Sequence, residues 1–368
     1  MFNLFKKKKS EPSKGSQYIS LKVREVVKET ADTVTIYFEQ PEPYLEYKPG
    51  QFLTLILEIE GKEVRRSYSL CTSPFVDPYP GISVKRVAGG LVSNYLNDQI
   101  RPGKTIEIMK PLGNFTTSFH SQNKRNFVMV AGGSGITPIM GILKSVLINE
   151  PQSKVSLLYC SRSEEQIIFK KALESLGEKY GDRLEVTHNL SQPGSAWTGW
   201  SGRLEEARIT EFYHKVSEDT TFDPLFFVCG PEGIMDVTKQ TLSALGVSTE
   251  QLLSESFYSD LDAKEKTMEA EGKLAPSLTR EIEIELEGQT YQVEVSPGKT
   301  ILDAGLDQDI DMPYSCQSGL CTACRGRLIS GKVDMIEDAG LSPSEIAEGF
   351  ILCCSAKPAS GDIKIRIE

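Results

Sequence analysis

Three cysteines stand in the stretch YSCQSGLCTACRG, residues 314–326, and they constrain this chain more than any other feature. Thiolates this close can converge on metal only if the backbone wraps tightly around it. The intervening Gln317, Ser318, Gly319, Thr322 and Ala323 suit such a loop, and their N–H groups can hydrogen-bond sulfur. Three ligands do not complete a tetrahedral site, so a fourth must come from elsewhere. The segment GFILCCSAKP offers Cys353 and Cys354. In an extended segment these two point to opposite faces, and only one reaches the metal.

The spacing of Cys316, Cys321 and Cys324, C-x4-C-x2-C, is that of a plant-type [2Fe–2S] centre, which takes its last ligand from far along the chain. Zinc is the rival occupant, but zinc sites usually present two C-x-x-C pairs, and this cluster holds one. The pattern therefore favours an iron–sulfur centre, which carries single electrons. Eight cysteines without a secretory signal point to a reducing compartment, the cytoplasm, where clustered thiols more often hold metal than disulfides.

A chain of 368 residues suggests two or three domains. A net charge of -10 argues against nucleic acid as a partner, and no run approaches the roughly 20 apolar residues of a spanning helix. The start, MFNLFKKKKSEPSKGS, has its charges after a very short apolar stretch, the wrong order for a signal peptide. Residues 1–17 read as a disordered basic arm, and Lys6 to Lys9 could touch an anionic surface.

Residues 18–122 read as a small antiparallel β-barrel. Ile19, Leu21 and Val23 alternate with polar neighbours, as do Val34, Ile36 and Phe38, and turn signals such as EIEGKE and RPGK recur. Over 123–259 the pattern changes to apolar strands alternating with helices, among them one expected around EEQIIFKKALESL. Such alternation predicts a doubly wound α/β domain with a parallel sheet. Residues 260–279 are charged and without an apolar face, hence a linker. Over 280–368, two alternating strands joined at Gly288 and a short helix lead to the cysteines, an α+β unit.

Four further stretches carry chemistry. RSYSL at 66–70 sets Arg66 and Tyr68 on one strand face, and GGLVSNYL at 89–96 lets Gly90 and Ser93 open a helix suited to phosphate. AGGSGITP at 131–138 is a glycine turn between a strand and a helix, where a dinucleotide pyrophosphate belongs. Pro138 is welcome in the first helical turn, where no backbone donor is needed. VCGPEGIM at 228–235 is a C-G-P turn that ends a strand.

Together with PGQF at 49–52 and PLGNF at 111–115, these motifs resemble the ferredoxin–NADP reductase superfamily, here continued into a β-grasp plant-type ferredoxin. The order is that of reductases serving oxygenases, desaturases or hybrid-cluster proteins, and the resemblance runs from about residue 18 to 368. It implies an FAD site formed by Arg66, Ser67, Tyr68, Ser69, Lys85, Gly90, Val92, Ser93 and Phe257. It implies a nicotinamide nucleotide on Gly132, Gly133, Gly135, Thr137, Cys229, Gly230 and Pro231. Cys229, Thr137, Ser69 and Glu255 are then the residues around hydride transfer. The family's leucine, one residue, then ligand matches Leu352-Cys353-Cys354, which makes Cys354 the fourth ligand and Cys353 a buried bystander.

The implied activity is electron transfer from NADH or NADPH through FAD to the cluster and on to a separate metalloenzyme. Relatives that prefer NADPH carry a Ser-Arg pair where this chain has His188-Asn189-Leu190-Ser191-Gln192, which favours NADH. Arg162 could supply a cation from another strand. Residues 280–368 hold 16 acidic and 8 basic side chains, so the ferredoxin unit would dock on a basic surface of its acceptor. The rival class is a redox sensor using the same cofactors. A sensor calls for an added recognition module, and none is visible outside the arm.

Overall fold

The computed structural model describes residues 18–217, 221–257, 278–319, 321–335 and 340–367. The arm 1–17 and nearly all of the expected linker lie outside the described residues.

The first unit comprises β1 (Tyr18–Thr30), β2 (Thr33–Phe38), β3 (Phe52–Ile59), β4 (Lys62–Ser69), β5 (Gly81–Lys85), α1 (Leu91–Gln99) and β6 (Thr105–Met109). The strands pair antiparallel in the order β4-β3-β6-β1-β2-β5. A Leu70–Ile82 bridge brings the end of β4 onto β5 and curls the sheet into a barrel. The two-residue periodicity has its expected effect: Leu21, Val23, Ile36 and Phe38 fill the interior with Leu53, Leu55 and Ile108. The β3–β4 turn places Glu60 and Gly61 at positive φ, as a tight hairpin requires.

The second unit comprises β7 (Arg125–Gly132), α2 (Ile136–Asn149), β8 (Lys154–Ser161), α3 (Lys170–Tyr180), β9 (Leu184–Leu190), β10 (Trp200–Ser201), α4 (Glu206–Ser217), β11 (Asp223–Gly230), α5 (Glu232–Ala244) and β12 (Leu252–Ser256). Its sheet is parallel, ordered β10-β9-β8-β7-β11-β12. The strands are apolar on both faces because both are covered. Phe127, Met129 and Phe227 pack with α2 and α3, while Val128, Val130 and Val228 pack with α4 and α5. The strand order reverses between β8 and β11, on either side of β7, so a ligand crevice is expected at the carboxyl ends of β7 and β11. The helix expected around EEQIIFKKALESL begins only at Lys170. Ile167, Ile168 and Phe169 enter the core in a non-helical segment, with Phe169 at φ 61.

These two units share one core: Cys71 and Phe115 of the barrel side join the cluster around α2. Gly141 permits the approach, since a Cβ there would lie 2.8 Å from the Thr72 carbonyl oxygen. Ser145 donates to Ser73 at 2.7 Å, and Lys144 pairs with Asp77 at 3.0 Å.

The third unit comprises β13 (Arg280–Leu286), β14 (Gln289–Val295), α6 (Ile301–Asp307), β15 (Arg325–Ser330), β16 (Val333–Met335), α7 (Pro343–Ala347), β17 (Phe350–Leu352), β18 (Ala356–Pro358) and β19 (Lys364–Ile367). Its mixed sheet runs β14-β13-β19-β15-β17, with β13 and β19 parallel. Ile301 and Leu302 of α6 pack on Ile282, Ile284 and Ile365, which is the β-grasp arrangement. No described helix is long and apolar enough to cross a membrane.

Candidate functional site

Along β4, Arg66 and Tyr68 share one face, while Arg65, Ser67 and Ser69 share the other. Ser69 is buried and its hydroxyl donates to Glu255 Oε2 at 3.2 Å. Glu255 stands directly beside Cys229 in the parallel pairing of β11 and β12. Three residues from three distant segments therefore meet at the crevice. Glu255 keeps some surface exposure, yet its carboxyl lies deep among protein atoms. That desolvation pushes its pKa up to about 8, partly offset by the bond from Ser69. Cys229 is fully buried, and burial followed by the neighbouring Glu255 raises its thiol well above the ordinary range.

The glycine turn is built by close backbone approach. A Cβ at Gly135 would lie 2.1 Å from the Cys229 carbonyl oxygen, and one at Gly230 would lie 2.9 Å from the Gly132 backbone. A Cβ at Gly132 would meet Pro231 at 2.7 Å. Gly133 takes φ 52, a left-handed conformation that glycine adopts at little cost. Thr137 is buried in the first turn of α2 and donates to the Ser134 carbonyl at 2.9 Å. Lys85 reaches towards this turn from the barrel, with its Nζ 4.0 Å from where a Gly133 Cβ would sit, and also faces Asp32 at 3.8 Å.

Gly90 caps α1, and Ser93 turns its hydroxyl back to accept from Val87 N at 3.0 Å. Val92 faces the barrel core, so of this group only its backbone can face a ligand. Phe257, just beyond β12, is 38% exposed, enough to lie against a flat ring. A bare glycine turn at a sheet switch point, beside the open N-terminus of α1, suits a diphosphate on each side of the crevice.

The cluster loop wraps as a metal-binding loop must. Gln317 and Gly319 take φ 54 and 73. Among the described residues no group is already spaced as a single-ion cage; the four thiols lean on one another instead. Hydrogen bonds with Cys321 and then Cys354 lower the Cys316 thiol and raise those of its partners. Gly319 N donates to Cys354 Sγ at 3.2 Å, and Cys354 N approaches Cys324 Sγ at 3.5 Å. Thr322 Oγ1 is buried without a partner, a donor available to sulfur. The donor set and the loop fit a [2Fe–2S] cluster.

Two expectations need correction or addition. Cys353 and Cys354 do not lie on an extended strand. They form a turn between β17 and β18, closed by Ser355 N donating to Leu352 O at 3.0 Å, so strand alternation cannot separate them. Sequence reasoning also passed over Ser315, whose neighbour is Cys316. Ser67 of the RSYSL motif donates to Ser315 at 2.8 Å, which brings the cluster loop onto β4. No local signal announces a contact between residues 248 positions apart.

Comparison with known proteins identifies the three units. Residues 19–117 match the oxidoreductase FAD-binding domain, 129–240 the oxidoreductase NAD-binding domain, and 284–359 the 2Fe-2S iron-sulfur cluster binding domain. One 1,2-phenylacetyl-CoA epoxidase subunit from Escherichia coli is 32% identical over 95% of this chain and 97% of its own. The chain belongs to the ferredoxin–NADP reductase superfamily, in the branch with a C-terminal [2Fe–2S] domain. Within that branch, the ferredoxin reductase component of 3-ketosteroid-9-alpha-monooxygenase from Rhodococcus rhodochrous is 36% identical, over 96% of this chain and 97% of its own. The glycine betaine monooxygenase reductase subunit of Pseudomonas aeruginosa is 31% identical, over 92% and 93%. Phthalate dioxygenase reductase shares the fold of this reductase, with a TM-score of 0.58 at 22% identity, over 95% of this chain and 98% of that one.

A pH prediction follows for this reductase stripped of flavin. The folded carboxyl of Glu255 titrates near 8, above its ordinary 4.5, so the folded chain holds an extra proton between those values. Its contribution therefore lowers stability as pH rises through that window and is absent below it. Thermal unfolding of wild type and Glu255→Gln should agree near pH 4.5, with the variant gaining steadily towards pH 8. Parallel curves over that range would contradict the assignment.

Proposed function

We propose that this reductase takes hydride from NADH at the crevice around Ser69, Cys229 and Glu255, and delivers electrons singly from its C-terminal domain to a separate oxygenase. The observation that carries the reading is the Ser67–Ser315 hydrogen bond at 2.8 Å. It joins the flavin-binding strand to the residue next to Cys316, so the two redox sites are neighbours within one chain. Bound FAD supplies the conversion of a two-electron hydride into single electrons that an iron–sulfur cluster accepts.

The chain's own residues do the rest. Arg66 would meet the FAD diphosphate and Tyr68 the flavin ring, with Ser67, Lys85, Gly90, Val92, Ser93 and Phe257 completing that side. Gly132, Gly133, Gly135, Gly230 and Pro231 cradle the nucleotide pyrophosphate, while Thr137 and Cys229 set the nicotinamide in reacting geometry. Burial favours the protonated form of Glu255, so the group that Ser69 donates to is largely uncharged in the flavin-free chain. Cys316, Cys321, Cys324 and Cys354 hold the cluster. The eight free cysteines suit a reducing compartment, the cytoplasm. The domain limits are those given by the sequence: 18–122, 123–259 and 280–368.

The segment His188–Gln192 offers no cation to a 2′-phosphate, which supports NADH. Arg162 stands next to it, since its carbonyl accepts from Gln192 N at 2.7 Å. Steady-state reduction of an artificial one-electron acceptor with each nucleotide tests this. NADH should give at least a tenfold higher kcat/KM, in wild type and in Arg162→Ala. An NADPH preference that collapses in Arg162→Ala would assign the phosphate to Arg162 instead. The acidic ferredoxin unit should make delivery to the oxygenase slow as salt rises; a salt-independent rate would remove that docking surface.

A further inference from the structure

The barrel and the nucleotide domain share a buried apolar core, but the ferredoxin domain does not join it. Its core cluster contains only residues between 282 and 367. Among the described residues, the side-chain contacts by which it meets the barrel are polar and aromatic, and they fall into two sets around the Ser67–Ser315 bond.

On one side lies Arg65, 8% exposed, whose side chain shares a β4 face with Ser67. Its guanidinium donates to Glu63 at 2.8 Å and to the Tyr18 hydroxyl at 3.2 Å, both in the barrel. Across the boundary it lies 3.7 Å from Asp311 and stacks over the Tyr314 ring at 4.2 Å. Tyr18 closes the loop by donating to Asp311 at 2.8 Å. Burial raises the Tyr18 phenol, so it keeps the proton that this bond needs. On the other side, Asn114 of the barrel donates to Glu345 of α7, and Glu345 also accepts from Arg325 at 2.6 Å. The two sets end beside cluster cysteines: Tyr314 and Ser315 precede Cys316, and Arg325 follows Cys324.

We propose that Arg65 is a positioning residue, the centre of a polar latch with Tyr18, Asp311 and Tyr314 that holds the cluster loop on the flavin-binding strand. This rests on the electron path proposed above. A salt bridge on open surface would contribute little, but Arg65 is buried against an aromatic ring and its partners span two domains. Asp311 itself is exposed, so its share is that of a rim charge, while the buried stacking of Arg65 on Tyr314 carries more. With no apolar core shared between the domains among the described residues, the latch sets how much of the time Ser315 rests on Ser67. With flavin and cluster bound, the latch would govern the rate of electron delivery to the cluster while leaving hydride transfer alone.

The test uses the full-length, cofactor-loaded protein with Asp311→Ala and Asp311→Glu. Asp311 is exposed and lies outside the flavin and nucleotide sites. In Asp311→Ala, backbone amide exchange in 311–316 and 62–69 should speed up about two- to fivefold. In rapid-mixing experiments with NADH, flavin bleaching should match wild type while cluster reduction slows by about the same factor. Iron content should not change, and Asp311→Glu should recover both readouts. Unchanged exchange, unchanged cluster reduction, or loss of iron in Asp311→Ala would each overturn the latch. If wild type itself shows no flavin reduction, the electron path fails, and amide exchange alone decides the latch.

Discussion

Cys354→Ser should yield a protein purified without its iron and without cluster absorbance, while Cys353→Ser should keep both. The two side chains are adjacent and both buried, so the contrast is a demanding one. Cys354 sits in the turn after β17, where its sulfur accepts from Gly319 N at 3.2 Å and leans on Cys316 and Cys324. Serine there offers a poor ligand for iron, and three thiolates do not hold a cluster. Cys353 is tied by its backbone instead. Its N–H donates to Cys324 O at 3.0 Å and its carbonyl accepts from Leu302 N at 2.9 Å. Its side chain is fully buried among apolar neighbours such as Leu302 and Leu352. A hydroxyl there costs about 1–3 kcal/mol unless it finds a partner, so Cys353→Ser should melt several degrees lower while retaining iron. Iron-to-protein ratios with the reverse pattern would transfer the ligand role to Cys353.

Cys229→Ala should slow flavin reduction by NADH about 100-fold, with much less effect on nucleotide KM. The thiol is buried and held neutral, so it acts through shape and placement, not as a nucleophile. It lies where β7 and β11 run side by side, with the Gly135 turn pressed against its own carbonyl, and it has Glu255 as its register neighbour. Alanine would leave a gap in the proposed nicotinamide site, and a misplacement of about 1 Å can cost a factor of this size. Cys229→Ser, nearer in size, should lose less. Stopped-flow bleaching of the flavin gives the rate directly. A wild-type rate in Cys229→Ala would remove Cys229 from the site.

Much of the fold was legible because it is written locally. The alternation of Leu21 and Val23, the glutamate–glycine turns at 60–61 and 287–288, and the apolar strands around β7 each need only neighbouring residues to be read. The glycine turn and the C-G-P turn were legible for a similar reason, since each closes over a few positions. What escaped depends on tertiary context. The run Ile167–Ile168–Phe169 has a helical composition but is drawn into the α2 core before α3 begins. Cys353 and Cys354 look like strand residues, yet they turn because the loop must bring Cys354 towards Gly319. Arg65 was hidden beside Arg66, since its partners Asp311 and Tyr314 lie some 250 positions away and no sequence period links them.

The proposed function requires a single path from nucleotide to flavin to cluster inside one chain. Anaerobic titration of the loaded protein with NADH, followed by its visible spectrum, tests it most directly. The flavin absorbance should bleach first and the cluster absorbance should then fall, within a modest excess of nucleotide, with NADPH requiring much more. A flavin that stays oxidised with both nucleotides, or a cluster that stays oxidised beside a reduced flavin, would contradict the account.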